Sequence, residues 1–329
     1  MTGAPTYSVV ITAHNAAGTI GATLNSVSKQ AGIAGSELEI VLVDDRSTDG
    51  TLDAARATAL PSLRTIRIDQ ASSSGLTTRQ DALAAGFGAA RGEIVLTTDA
   101  DGVVAEDWVR ALAGPILSGR ADATAGPVSF KARHGMLGAW QTVDVSDYLA
   151  TNQMLVALGF QGGVLFGNFA FRREWFDKIG GFDRIGMTLT EDLAFGRAIQ
   201  AAGARLVYVS GGTVEVAACE SWRVLVERAK RVSAGGASAL AVWLGIRMTL
   251  LVVLAVCALV FGGVFAWLFW LRYGLGALFV GWALIRVRKP GLLPLAPLYE
   301  PLAIAIGVAV MWRLTRNAEI EWGGRKYAR

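Results

Sequence analysis

The chain has 329 residues, a formal net charge of +4 and 53% hydrophobic residues, at a mean hydropathy of +0.42. That length suits one sizeable α/β domain plus something smaller, and the composition is too apolar for an ordinary soluble enzyme, so part of the chain is expected in lipid. The basic balance suits an anionic membrane surface, while the lack of interleaved aromatic and basic residues excludes nucleic acid as a partner.

In chain order, Tyr7 to Ala13 is a short β-branched run, and Ala17 to Gln30 carries Ile20, Leu24 and Val27 at helical spacing. The pattern repeats. Leu38 to Val43 reads as a strand, Gly50 to Ala57 as a helix, Leu63 to Ile68 as a strand, Thr77 to Ala90 as an Ala-rich helix and Glu93 to Thr97 as an apolar strand. This alternation predicts a mostly parallel, Rossmann-like α/β sheet with ligands at the carboxyl ends of its strands. Two acidic clusters fall at such ends, Asp44-Asp45 and Asp99-Ala100-Asp101, so neighbouring strands would bring carboxylates to one rim. No Gly-x-Gly-x-x-Gly follows the first strand, which excludes a dinucleotide-binding dehydrogenase. Further on, Gly135 to Leu158 predicts an amphipathic helix, Gly162 to Phe171 is a glycine-punctuated run, Thr190 to Ala202 predicts a helix capped by Thr190, and Arg205 to Val209 a short strand. Val216 to Val232 sets apolar and aromatic residues against Arg223, Glu227, Arg228, Lys230 and Arg231, the pattern of a helix lying on a membrane surface. Cys219 and Cys257 have neither metal nor redox spacing and read as packing residues.

Residues 1–233 mix charged and apolar text, whereas 237–314 hold only a handful of charges. A cytoplasmic domain over 1–233, ending in the interfacial helix, and a membrane region over 234–329 with a basic tail are therefore expected. Met248 to Leu271 is a 24-residue run without charge, long enough for a hydrocarbon core of about 30 Å. The most economical spans are Leu240 to Phe261 and Val264 to Ile285, turning at Gly262-Gly263, with Arg247 and Arg272 snorkelling to the interfaces. A turn at Arg272-Tyr273 is the alternative. The next apolar run contains Pro294, Pro297 and Pro301 and carries Glu300, which is costly in hydrocarbon unless it faces protein or water, so this run either spans or re-enters. The basic residues at 286–289 and the basic tail both favour the cytoplasm, which a re-entrant segment between them would satisfy. Met1 to Pro5 has no signal-peptide pattern, so the expected location is the inner, cytoplasmic membrane, multi-pass, with the N-terminal domain in the cytoplasm.

Asp99 and Asp101 supply hard oxygen ligands, and a divalent cation such as Mg²⁺ or Mn²⁺ could sit there, completed by substrate phosphates. A simple loop cap is the other reading of the triplet. Context separates the two. SVVITAHN (Ser8 to Asn15), VDDRSTDGT (Val43 to Thr51), the segment Gly75 to Gly102 ending in TTDADG, GNFAFRREWFDKIGGFD (Gly167 to Asp183) and TEDLAFGRAIQAAG (Thr190 to Gly203) follow one another in an order that resembles glycosyltransferase family 2 across residues 7–233. Thr12 and His14 stand where Pro and Tyr are commoner, and Gln80 replaces the usual Asn.

The resemblance implies a nucleotide-sugar-binding GT-A fold. By that resemblance Asp45 and the backbone at Ala13, His14 and Asn15 hold the nucleobase, and Arg79 supports the donor. Asp99 and Asp101 face the ribose-diphosphate and a metal, Mg²⁺ or Mn²⁺, and Asp192 is the general base. Asp192 could instead only cap its helix. Arg228-Ala229-Lys230-Arg231-Val232 resembles a motif of the family that closes over the donor diphosphate, with Val232 where the family has Trp; Arg228 and Arg231 would hold phosphate, or belong simply to a basic surface helix. The missing Trp argues against a processive polymerase. The tail, EIEWGGRKYAR, resembles that of ceramide- and carotenoid-type lipid glucosyltransferases. His14 and His134 lack partners at ligand spacing and read as structural.

Together these readings imply inverting, non-processive, metal-dependent transfer of a sugar from a nucleotide-sugar, a UDP-sugar being the expected donor, to a hydroxyl of a membrane lipid or isoprenoid. A polyprenyl-phosphate sugar transferase is the alternative within enzymes. A non-catalytic membrane scaffold with a nucleotide-sugar-binding fold is the alternative outside them.

Overall fold

The computed structural model describes residues 5–70, 74–131, 135–233, 239–316, 320–322 and 325–327; the side chains of 231–233 and of the last two segments lie outside the described set. The expectations for His134, for the Arg231 side chain and for the tail side chains fall outside it as well. Along the chain run β1 (Tyr7–Ala13), α1 (Ile20–Ser28), β2 (Leu38–Asp45), α2 (Thr51–Arg56), β3 (Leu63–Ile68), α3 (Thr78–Ala89), β4 (Ile94–Thr97), β5 (Val103–Val104), α4 (Trp108–Leu117), β6 (Ala123–Ala125) and β7 (Val128–Lys131). There follow α5 (Met136–Ala157), a 3₁₀ turn (Phe166–Asn168), β8 (Phe169–Arg172), α6 (Glu174–Lys178), α7 (Gly181–Ile185), α8 (Glu191–Ala201), β9 (Leu206–Tyr208), β10 (Val214–Ala217) and α9 (Trp222–Ser233). The C-terminal part holds α10 (Ala239–Phe261), α11 (Gly263–Arg286), a 3₁₀ segment (Pro290–Leu295), α12 (Ala296–Arg316), β11 (Ile320–Trp322) and β12 (Arg325–Tyr327). Two compact units emerge: residues 1–129 with 163–217, and residues 130–162 with 218–329.

In the first unit a seven-stranded sheet runs β3-β2-β1-β4-β8-β6-β9. β3, β2, β1 and β4 are mutually parallel, β8 is antiparallel to both neighbours, and β6 and β9 are parallel. This is the mostly parallel sheet that the sequence predicts. Every residue of β2 is buried, as expected of a strand covered on both faces. Gly86 lets α3 lie directly against Val10 and Val43, because a side chain there would overlap both. Phe87 of α3 meets Phe171 at 5.2 Å and Phe195 of α8 at 5.8 Å between ring centroids, so an aromatic core ties α3, β8 and α8 together. Two expectations need correction. Val216 and Ala217 are the last two residues of strand β10, and the helix begins only at Trp222, with Val224 N donating to Ser221 Oγ. Thr190 stands at the start of α8, but its side chain makes no capping bond; its own N–H instead donates to Thr188 Oγ1 at 3.2 Å.

In the second unit α10 and α11 meet at Gly262-Gly263, both in the left-handed region at φ 60° and 50°, where glycine carries no steric cost. Both spans, and the segment Pro290–Arg316, are long and apolar enough to cross a membrane. Leu259, Phe261 and Leu278 are 88%, 70% and 71% exposed, faces that water would penalise. The boundary seen here differs from the one expected near Ser233: α5 and α9 cluster with α10–α12. Leu137, Trp140 and Val143 of α5 and Leu225 of α9 share a core with Val280, Leu284 and Tyr299.

Arg247 and Arg272 do not snorkel. Arg247 is 8% exposed and grips Asp147 with two parallel hydrogen bonds of 3.0 Å. Arg272 donates twice to Glu300, at 3.0 and 3.1 Å, and once to Arg247 O at 2.8 Å. Arg247 Nε lies 3.1 Å from Glu300 Oε1, which closes a network of two cations and two anions. Both arginines find anions inside the bundle, so neither stem has to reach an interface. A Cβ on Gly276 would lie 2.7 Å from Glu300 and 2.8 Å from Arg272, so only glycine leaves room for the pair.

Candidate functional site

β1, β2 and β4 end on one rim of the first unit, where the register sets Ala13 beside Asp44 and Val10 beside Thr97. The loops leaving β1 and β2 are joined by hydrogen bonds. Asn15 N donates to Ser47 Oγ, Thr48 N to Asn15 Oδ1 and Ala16 N to Thr51 Oγ1, each at 2.9 Å, and Ala17 N donates to Asp49 Oδ2 at 3.0 Å. Asn15 and Arg46 sit at φ 51° and 57°, a costly conformation for non-glycine residues that these bonds hold in place. His14 Nδ1 lies 2.6 Å from Asp45 O, so that nitrogen carries the proton, since a carbonyl can only accept. Asp45 is buried, and its Oδ1 accepts from Arg46 Nε at 2.8 Å. Ala13, His14, Asn15 and Asp45 thus share one wall of the rim.

After β4 the chain turns at Asp99 to Gly102, closed by Gly102 N donating to Asp99 O at 3.0 Å. A Cβ on Gly102 would lie 2.6 Å from Thr98 Oγ1, so glycine is required for so tight a turn. Asp101 is exposed on it. Arg79, in the first turn of α3, donates from Nη2 to Asp99 Oδ1 at 2.5 Å, and its Nε lies 2.8 Å from Glu191 Oε1. Burial alone would lower the guanidinium pKa, but Asp99 and Glu191, with a smaller contribution from Asp192, raise it on balance and keep Arg79 cationic. Asp192, in the first turn of α8, is partly exposed and accepts from Leu193 N at 2.8 Å. Gly167 approaches the same place: a Cβ there would lie 2.9 Å from Asp99 Oδ2. Its neighbour Asn168 is fully buried and structural, accepting from Trp108 Nε1 at 2.8 Å and donating to Pro127 O and Gly212 O.

Arg79 thus joins Asp99 to Glu191, and Asp192 stands beside Glu191 at the start of α8. Adjacency to Asp192 is the one signal of Glu191 in the sequence. Arg228 belongs to the second unit, where its guanidinium lies 5.4 Å from the Phe130 ring centroid. Among the described residues no group of three or more His, Cys, Asp or Glu gathers around a point that could hold a metal. Asp99 and Asp101 nonetheless fit a hard cation, which takes one or two carboxylates and fills its remaining positions with water and substrate oxygens.

Residues 8–180 match the family model for glycosyl transferase family 2. The succinoglycan biosynthesis protein ExoO of Rhizobium meliloti (strain 1021) is 35% identical over 106 residues, which span 32% of this chain and 28% of that protein. The mannosyltransferase PcManGT of Pyrobaculum calidifontis, in complex with GDP-Man and Mn²⁺, superposes with a TM-score of 0.56 at 20% identity, covering 95% of this chain and 88% of that one. TarS 1-349 of S. aureus in complex with UDP gives a TM-score of 0.52 at 17% identity, covering 98% and 96%. At such identities the solved structures establish the GT-A fold, and the family match extends over more than half of the sequence; the chain is a member of glycosyl transferase family 2.

Proposed function

We propose that this protein transfers a sugar, with inversion, from a nucleotide-sugar to a hydroxyl of a membrane lipid or isoprenoid. The observation that carries the reading is the rim on which Arg79 joins Asp99 to Glu191, directly beside Asp192. The acceptor oxygen attacks the anomeric carbon as the bond to the donor's diphosphate oxygen breaks, the electron pair leaves with the nucleoside diphosphate, and the acceptor proton passes to Asp192. Asp45 and the backbone of residues 13–15 take the nucleobase, and Arg79 offsets charge developing on the leaving group. Arg228 and Arg231 are assigned to phosphate on the donor side. Asp99 and Asp101 would hold a divalent ion, which when bound neutralises the diphosphate. The Mn²⁺ of the mannosyltransferase complex supports that assignment, and the UDP of the TarS complex supports a UDP-sugar donor.

The acceptor class rests on the second unit. Two water-soluble substrates would gain nothing from three apolar helices of spanning length. We place the protein in the cytoplasmic membrane with its catalytic unit on the cytoplasmic side. If all three helices cross, the basic residues at 286–289 and the C-terminal tail fall on opposite faces.

The test uses the full chain in detergent with a panel of UDP- and GDP-sugars and a lipid extract. Sugar transfer should stop in excess EDTA and return with Mg²⁺ or Mn²⁺. Undiminished transfer in EDTA would remove the metal, and turnover of no donor would favour a scaffold over an enzyme. A truncation at Ser233 is a poor probe, because it strips α5 and α9 of the helices they pack against.

A further inference from the structure

We propose that Gln80 is a positioning residue that sets where the base-bearing helix begins, an inference that rests on Asp192 being the base. Gln80 is fully buried in the first turn of α3, immediately after Arg79. Its side-chain amide has two sets of partners. Locally it completes a capping box: Thr77 N donates to Gln80 Oε1 at 3.1 Å, and Gln80 N donates to Thr77 Oγ1 at 3.2 Å. A capping box needs nothing further, and Glu could serve in place of Gln.

The second set lies more than a hundred residues away. Gln80 Nε2 donates to Gly186 O at 2.8 Å, and Thr188 N donates to Gln80 Oε1 at 3.2 Å. One side-chain amide thereby clamps the turn between α7 and α8 through both a carbonyl and an N–H, as a paired strand would. From Thr188 the connection passes directly into α8, since Thr190 N donates to Thr188 Oγ1 at 3.2 Å and Thr190 O accepts from Ala194 N at 3.0 Å. Glu191 and Asp192 follow at once. Arg79 grips the side chains of Asp99 and Glu191 while Gln80 grips the backbone leading to Glu191 and Asp192, so the first turn of α3 holds the start of α8 both through a side chain and through the main chain. Asparagine is one methylene shorter, and the reach to Gly186 O and Thr188 N is what the extra length of glutamine supplies.

The consequence is a division of labour that kinetics can read. Loss of the clamp should displace the base relative to the acceptor oxygen and leave the nucleotide wall, built by the loops after β1 and β2, untouched. The experiment compares Gln80→Leu, Gln80→Glu, Thr77→Ala and Asp192→Asn in the full chain, measuring kcat, donor KM, nucleoside diphosphate affinity and Tm. Gln80→Leu should lose about 100-fold in kcat, with nucleotide affinity within about three-fold, as expected of a misplacement on the order of 1 Å. Gln80→Glu keeps the oxygen that receives Thr188 N but turns a buried carboxylate oxygen toward the Gly186 carbonyl, acceptor against acceptor, so it should open the clamp and lose kcat on the same order as Gln80→Leu. Thr77→Ala removes the cap alone, and should lower Tm while holding kcat within about three-fold.

The proposal is overturned by Gln80→Leu turning over near the wild-type rate, by its kcat and nucleotide affinity falling together, or by Thr77→Ala losing as much kcat. If Gln80→Leu does not fold, Gln80→Glu decides, and an unchanged kcat there overturns the clamp. An active Asp192→Asn would instead retire the base assignment, an outcome distinct from any of these.

Discussion

Each unit of this protein pairs arginines with carboxylates, and the two clusters are built to opposite ends. In the second unit Arg247, Arg272, Asp147 and Glu300 are balanced two against two, and Asp147 and Glu300 are 0% and 2% exposed. In the first unit Arg79 and Asp99 are 28% and 36% exposed, and one arginine bridges two acids beside a third, Asp192. A closed, neutral network in a low-dielectric setting has no capacity left for a ligand, and its worth lies in fixing which helices meet. An open cluster with surplus negative charge and partial access to water can exchange its partners for a cation, a diphosphate or a proton. Arginine and carboxylate alone do not distinguish a binding site from a structural clamp; exposure and charge balance do.

That contrast can be broken from either side. The largest effect is expected of Asp192→Asn, which should cost about 100- to 10,000-fold in kcat, the usual contribution of a general base, with donor binding and Tm nearly unchanged. Next comes Arg247→Met, which strands Asp147 without its partner and should destabilise the chain by about 3–5 kcal/mol, read as a fall in Tm in detergent. Gly276→Val should act the same way by forcing Glu300 from Arg272. Arg79→Met should lose about 100-fold in transfer with a smaller fall in Tm than Arg247→Met, because of its two acid partners only Glu191 is buried. Should Arg79→Met unfold the chain, or Arg247→Met leave Tm unaltered, the distinction between the clusters would collapse.

The smallest effect concerns Glu39, at the far end of β2 from the site. Burial pushes its pKa up, but hydrogen bonds from Ser8, Arg91 and Arg64 outweigh burial and hold it below the ordinary 4.5. A lowered folded-state pKa contributes stability that is present above the unfolded value and is lost as pH falls through the folded one. Glu39→Gln should therefore cost about 1–3 kcal/mol at neutral pH, and the difference in Tm from wild type should shrink on acidification below pH 4.5. A gap that widens in acid would contradict the assignment.

Much of this was legible in the sequence where the signal is local. The strand at Leu63–Ile68 falls on its expected residues, and the hairpin turns at Gly262-Gly263, because β-branched runs and paired glycines state their conformation without help from distant partners. The rim was legible for the same reason, each acid following its own strand or opening its own helix. What stayed hidden depends on contacts across the chain. Asp147 resembles a surface acid until Arg247, a hundred residues on, is placed against it, and this pairing is also why snorkelling was the wrong expectation. Helix α5 reads as part of the first domain because nothing local reveals that its partners are α11 and α12. Gln80 is visible in the sequence only as a departure from Asn, and its reach to Gly186 and Thr188 required the fold.

The most direct test of the central claim follows the label. Full-length protein in vesicles containing a lipid extract, given a donor radiolabelled in the sugar, should place the label in an organic-soluble product whose anomeric configuration is inverted, and the Asp192→Asn protein should place none there. A labelled product that stays in water, or one that retains the donor's configuration, would contradict the account.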